Sequence, residues 1–267
     1  MKTIEQFVQL IARLRDPENG CPWDLKQDFN SMLPHLLEET YEVAEAIQQQ
    51  DRTALREELG DLLLQVVFLS QLASEEGTFT FQDVLNDIHD KMIYRHPHVF
   101  GDKSAQNSEE ALKNWEEQKA KEKAKNTKHH SILDDLPFAL PALTRANKLQ
   151  NRCAKVGFDW KNPQDVLAKV EEELAEVKAE MADFPQGASQ LEEELGDLMF
   201  ATVNLCRHYK IDAETSLRNA NLKFEKRFRK VEQAVRSQGK KVKDCTLAEL
   251  DAVWEQIKNV EQIDKNC

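Results

Sequence analysis

Apolar residues recur along this chain every three to four positions, with polar residues between them. The opening segment MKTIEQFVQLIARLRD is an amphipathic helix pattern, since a period of 3.6 residues stacks such positions on one face. Residues 37–47, LEETYEVAEAI, set Leu37, Tyr41, Val43, Ala44 and Ile47 among four glutamates. Two later stretches, LLLQVVFL after Asp61 and LMFATVNL after Asp197, are apolar almost all round, which predicts buried helices. Helix starts are marked as well. Asn162-Pro163-Gln164-Asp165 reads as an N-cap, a proline at the first helical position and an acid in the first turn. Ser189 to Glu192 and Thr246 to Glu249 match the capping box. Strand-like alternation between turns is missing, so the expected fold class is all-α, with four or five helices in each half.

The halves are copies. EETYE at 38–42 recurs as EELAE at 172–176, and EELGD at 57–61 recurs at 193–197. Lys91 and Arg95 recur as Lys223 and Arg227, and WEEQK at 115–119 as WEQIK at 254–258. The order is preserved, at offsets of 134, 136, 132 and 139 residues. Two tandem helical-bundle domains follow, the first over 1–128 and the second over 138–267. Residues 129–137 are the expected linker, where the charged run KAKEKAK gives way to a polar connector. Pro137 and Pro141 then break any helix before the second copy.

Composition narrows the function classes. A net charge of −12 argues against a general duplex-binding surface, which needs a basic footprint, so no stable nucleic-acid binding is expected. A small anionic ligand remains compatible, because a metal or a local basic cluster reverses the field. The five cysteines form no CxxC pair and, with no apolar signal core at the N-terminus, point to reduced thiols in the cytoplasm. No run reaches the ~18 apolar residues of a membrane span.

The acidic repeats carry the chemistry. Glu39 and Glu42 are three apart and share a helix face, as do Glu58 and Asp61 on the next helix. The short connector QQQDRT predicts that these helices pack antiparallel and bring the two pairs together. Glu173, Glu176, Glu194 and Asp197 repeat the arrangement. Two readings stand: a solvated acidic face, or a cation held between carboxylates. Four ionised carboxylates at the mouth of a buried helix repel one another, and a divalent cation supplies the missing charge. All-oxygen ligands suit Mg²⁺, with Mn²⁺ as a substitute. Neither copy has the Glu-x-x-His pairs of di-iron bundles. Gly60 and Gly196, inside these helices, suggest a close neighbour, either a packed helix or a ligand.

Mg²⁺ held by carboxylates usually also meets phosphates. Residues 221–230, NLKFEKRFRK, put Lys223 and Arg227 on one face, with Lys226, Arg229 and Lys230 around it. This is a solvated basic face or, beside a metal, a phosphate clamp. Lys169 lies one turn before Glu173, where the first copy has His35. Trp115 and Trp254 are core residues or stacking surfaces for a nucleobase.

EExxE followed by ExxD, at 38–42 with 58–61 and at 172–176 with 194–197, resembles the MazG-type nucleoside triphosphate pyrophosphohydrolases. GCPWD at 20–24, RHPHVFGD at 95–102 and the K-F-x-x-R-F run at 223–228 match their long, two-domain bacterial form. The resemblance covers essentially the whole chain. The ExxE/ExxD core alone is shared with related all-α phosphohydrolases such as dimeric dUTPases. The resemblance implies a homodimer, Mg²⁺ dependence and cleavage of nucleoside triphosphates between the α and β phosphates, to monophosphate and pyrophosphate. It implies metal ligation by the eight acids named above, and a proton-accepting role for Glu172 or Glu193. Lys169, Gln190, Lys223, Lys226 and Arg227 then bind substrate, with Trp254 against the base. The denser basic run predicts stronger catalysis in the second copy. The rival readings are a phosphohydrolase restricted to one nucleotide, such as dUTP or a damaged base, and a non-catalytic helical interaction module.

Overall fold

A computed structural model describes residues 2–124, 131–184 and 187–265. Among these residues every regular element is helical. The chain divides into two compact units, Met1–Thr127 and Lys128–Cys267.

In the first unit, α1 (Ile4–Leu14) leads through a 3-10 turn to the hairpin of α2 (Phe29–Gln49) and α3 (Arg52–Glu75). Then come α4 (Phe81–Arg95), the single turn α5 (Pro97–Phe100) and α6 (Ser108–Ala124). Side chains start the helices: Thr3, Asp28 and Thr80 each close a capping box, and Asp51 accepts from the backbone of Thr53 and Ala54. Only Gln50 and Asp51 separate α2 from α3, with Gln50 in the left-handed region at φ 57°. So tight a turn folds α3 back along α2. The core joins Ile11 of α1, Met32 of α2, and Val67, Phe68 and Leu72 of α3.

A buried cation fastens this unit. Arg15 is gripped by both carboxylate oxygens of Glu75, donates to the carbonyls of Asp24 and Gln27, and lies 5.2 Å from the Phe68 ring centroid. Its hydrogen bonds hold the Glu75 carboxyl below its ordinary range. The GCPWD turn thereby wraps the end of α1. A Cβ on Gly20 would stand 2.5 Å from the carbonyl oxygens of Leu14 and Asp16. Those same oxygens accept from the amides of Cys21 and Gly20, so they cannot retreat. Gly20→Ala is expected to destabilise the protein by about 2–4 kcal/mol, read as a lower urea midpoint at unchanged slope.

The second unit contains α7 (Ala142–Ala154), α8 (Pro163–Glu180), α9 (Ala188–His208), α10 (Ala213–Ser237) and α11 (Leu247–Lys265). Pro163 opens α8 after Asn162, as the sequence predicts, and Thr246 with Glu249 caps α11. The box expected at Ser189 does not form. The chain is already helical at Ala188, and the Ser189 hydroxyl donates to Gln190 instead. The core contains Ala146, Val203 and Ala213, with Leu143 and Cys206 packed against it. Of the expected linker, residues 129 and 130 lie outside the described residues. Beyond them Leu136 is buried, and Arg152 donates to the carbonyls of Ile132 and Asp134.

The helices read as apolar all round are not covered all round. Val67, Phe68, Ala201 and Val203 are buried, but Leu63, Val66, Met199 and Phe200 are exposed. Each of these helices has more apolar surface than its own unit can cover. Cys21, Cys153, Cys206 and Cys245 are free thiols. Among the described residues, no helix is long and apolar enough to cross a membrane.

Candidate active site

Each unit turns one helix hairpin into an acidic cluster. In the first, α2 supplies Glu39 and Glu42, and α3 supplies Glu58 and Asp61. Carboxylate oxygens of Glu39, Glu58 and Asp61 lie within 4.8 Å of one another. In the second, α8 supplies Glu173 and Glu176, and α9 supplies Glu194 and Asp197. Oxygens of Glu173, Glu194 and Asp197 meet the same limit. Three of the four predicted acids therefore converge in each unit. The fourth is joined to the group by a hydrogen bond, Glu42 to Glu58 and Glu176 to Glu173.

The electrostatics follow from this crowding. Burial first, then the neighbouring carboxylates, push the Glu39, Glu58 and Glu194 carboxyls above their ordinary value. Glu176 is raised chiefly by its hydrogen bond with Glu173. Such groups resist being charged together unless a cation joins them. The donor set is all carboxylate oxygen, which fits Mg²⁺ or Mn²⁺. In the first unit Gln65 follows Asp61 by one turn, on the stripe between Glu58 and Asp61 at 100° per residue. It is buried, and among the described residues its Oε1 has no hydrogen-bond partner. Ala201 holds this place in the second unit.

Glu173 is the most buried of the eight acids, and Lys169 reaches it. Its Nζ lies 2.8 Å from Glu173 and 2.9 Å from Glu172. These bonds raise the Lys169 ammonium above its ordinary range. His35, at the corresponding place, lies 3.8 Å from Glu38, the copy of Glu172, and meets the Trp23 ring edge-on at a centroid distance of 6.2 Å. Glu193 is exposed beside Glu194, and Gln190 is exposed in the first turn of α9. Apart from chain neighbours and their own helix backbone, Gly60 and Gly196 have none of the described residues within 4 Å of where a Cβ would lie, so packing against those residues does not explain them.

The basic run lies on α10, which packs on α7, α9 and α11. Lys223 and Lys226 are exposed and form no ion pair among the described residues. Arg227 is different. Its Nε donates to Glu261 of α11 at 2.7 Å, and its guanidinium lies 5.7 Å from the Trp254 ring centroid. Trp254 is half-buried, with the Phe224 ring 5.3 Å away. Glu261 was missed by sequence reasoning, although the repeated tryptophan motif reaches it three residues further on, with Glu122 as its copy.

The MazG nucleotide pyrophosphohydrolase domain matches twice, over residues 27–100 and 161–232. The chain belongs to the MazG family. The first MazG match spans α2 to α5, with Glu39, Glu42, Glu58 and Asp61. The second spans α8, α9 and most of α10, with the other four acids and the basic run. The chain is 51% identical to the nucleoside triphosphate pyrophosphohydrolase of Escherichia coli K12, over 98% of this chain and 99% of that protein. It is 44% identical to the nucleoside triphosphate pyrophosphohydrolase/pyrophosphatase MazG of Thermotoga maritima, over 95% of each. It is also 44% identical to Bacillus subtilis YabN, matching 96% of this chain but 52% of that protein.

The two MazG units differ in the charge of their corresponding helices α4 and α10. Helix α10 carries seven Lys and Arg residues against three acids, whereas α4 carries two against three. A cavity of about 360 Å³ on the first unit is lined by Asp87, Asp90, Lys91, Tyr94 and Glu122. That lining disfavours a polyphosphate.

Proposed function

We propose that this protein hydrolyses nucleoside triphosphates, both ribo- and deoxy-, to monophosphate and pyrophosphate, with Mg²⁺ as cofactor and the second unit as the main site. The observation that carries this reading is the convergence of Glu173, Glu194 and Asp197, with Glu176 beside them, in the unit whose helix α10 carries the exposed Lys223 and Lys226. When bound, Mg²⁺ supplies positive charge that neutralises the phosphate oxygens and acidifies the attacking water. Lys223, Lys226 and Arg227 bind the phosphate tail, and Lys169 exchanges a carboxylate partner for a phosphate oxygen. Glu193, exposed and outside the ligand set, accepts the water's proton more readily than Glu172, which Lys169 engages. Trp254 and Gln190 meet the nucleoside. Stacking is indifferent to base identity, so broad specificity is expected. The first unit holds a cation with Glu39, Glu42, Glu58 and Asp61 and contributes less to turnover.

The exposed apolar residues of α3 and α9 support a homodimer, since faces of this kind mark association surfaces. Light scattering should give twice the chain's mass of 30.8 kDa. The decisive assay incubates the protein with a panel of triphosphates, with Mg²⁺ present or chelated, and identifies the products. Pyrophosphate requires cleavage between the α and β phosphates. Orthophosphate alone, or activity unchanged by chelation, would overturn the reading.

A further inference from the structure

Both units contain a three-residue clasp whose glutamate has no part in the chemistry above. On α11, Trp254 and Glu261 stand seven residues apart, two turns along one face. From α10, Arg227 Nε donates to Glu261 Oε2 and Lys230 Nζ to Oε1, each at 2.7 Å. The guanidinium lies over the Trp254 ring. The first unit repeats the device with Trp115 and Glu122 of α6 and Arg95 of α4. There the guanidinium lies 5.4 Å from the Trp115 ring centroid.

The copies differ in how much of the arginine is used. Arg95 donates to Glu122 through both Nε, at 2.9 Å, and Nη2, at 2.6 Å. Arg227 donates to Glu261 through Nε alone, so among the described residues its two Nη groups keep their hydrogens for another acceptor. Lys230 takes the second Glu261 oxygen, where the first unit has His98. A guanidinium is a planar fork. Holding it by Nε against an indole face sets the direction of its Nη edge, which suits a phosphate with two oxygens to offer. A free arginine would have to be ordered at the moment of binding. The first unit's clasp has given one of the two Nη groups of that edge to Glu122.

We infer that Glu261 is a positioning residue: it grips Arg227 from behind so that the open edge of the guanidinium faces the substrate's polyphosphate, whereas Glu122 only fastens α6 to α4. This inference rests on the pyrophosphohydrolase reading of the second unit. It assigns a sign that simple charge competition would reverse. If Glu261 merely occupied the cations, neutralising it would tighten phosphate binding.

The test compares Glu261→Gln with Glu122→Gln in the full chain, measuring melting temperature and Mg²⁺-dependent pyrophosphate release from ATP. Glu261→Gln is expected to raise KM about tenfold with kcat within about twofold, the signature of an interaction made equally in the bound and transition states. Glu122→Gln is expected to lower the melting temperature as much as Glu261→Gln does and to leave both constants unchanged. An unchanged or lower KM in Glu261→Gln, or an equal rise in Glu122→Gln, would overturn the assignment. A wild-type protein that releases no pyrophosphate would instead remove the reading beneath it, and the assignment with it.

Discussion

Full-length protein carrying Glu173→Ala and Glu176→Ala is expected to lose Mg²⁺-dependent pyrophosphate release by about two to three orders of magnitude in kcat/KM. Glu173 is buried, lies within 4.8 Å of Glu194 and Asp197, and receives Lys169. Removing its carboxylate takes away a cation ligand and frees Lys169 to approach the remaining acids. The matching pair Glu39→Ala and Glu42→Ala is expected to cost less than about threefold. The contrast follows from the charge on α10 and α4, because a triphosphate must meet a cationic helix as well as a cation. A coupled pyrophosphate assay on both double variants decides it. Full activity in the first and loss in the second would move the chemistry to the other hairpin.

Adding Mg²⁺ is expected to raise the melting temperature of the nucleotide-free protein by about 5–10 °C. A ligand at 100 times its Kd stabilises by about 2.7 kcal/mol, and units of this size gain a few degrees per kcal/mol. The pH dependence has a definite sign. Glu39, Glu58, Glu176 and Glu194 titrate above their unfolded value, so the folded clusters hold protons more tightly than the unfolded chain. Their contribution is most favourable near and below the ordinary carboxylate value of 4.5, and it is lost as pH rises through the raised values. The cation offsets that loss and must displace those protons to bind. The Mg²⁺-induced shift should therefore be larger at pH 8 than at pH 5, read by differential scanning fluorimetry. Equal shifts at both values, or none, would show that the carboxylates do not form a shared cation site.

Local sequence rules carried the helices because capping side chains and turn residues act on their own neighbours. Pro163 and Thr246 mark their helix starts without help from the rest of the fold, whereas Ser189 falls inside a helix that has already begun. The acidic hairpins were equally legible, since spacing of three puts two acids on one face and the connector folds the next pair onto them. What spacing could not give was depth. Glu173 is buried and Asp197 exposed although both occupy the motif, because burial depends on which side of the hairpin the other helices cover. The same limit explains the exposed Leu63 and Met199, which lie in stretches whose all-round apolar character predicted burial. Partner choice was the other gap. Arg227 reads as a free cation in a basic run, and only the approach of α11 shows that Glu261 holds it. Arg15 was hidden for a similar reason: Glu75, sixty positions away, becomes its partner only once α1 lies against α3.

The grip of Arg152 on the carbonyls of Ile132 and Asp134 determines how the second half can be excised. A fragment begun at residue 138 would discard both acceptors and the buried Leu136, leaving a guanidinium with nothing to grasp at the head of the bundle. Cutting ahead of Ser131 keeps that anchorage, so a shorter recombinant piece that precipitates would indict its starting point before it indicted autonomous folding.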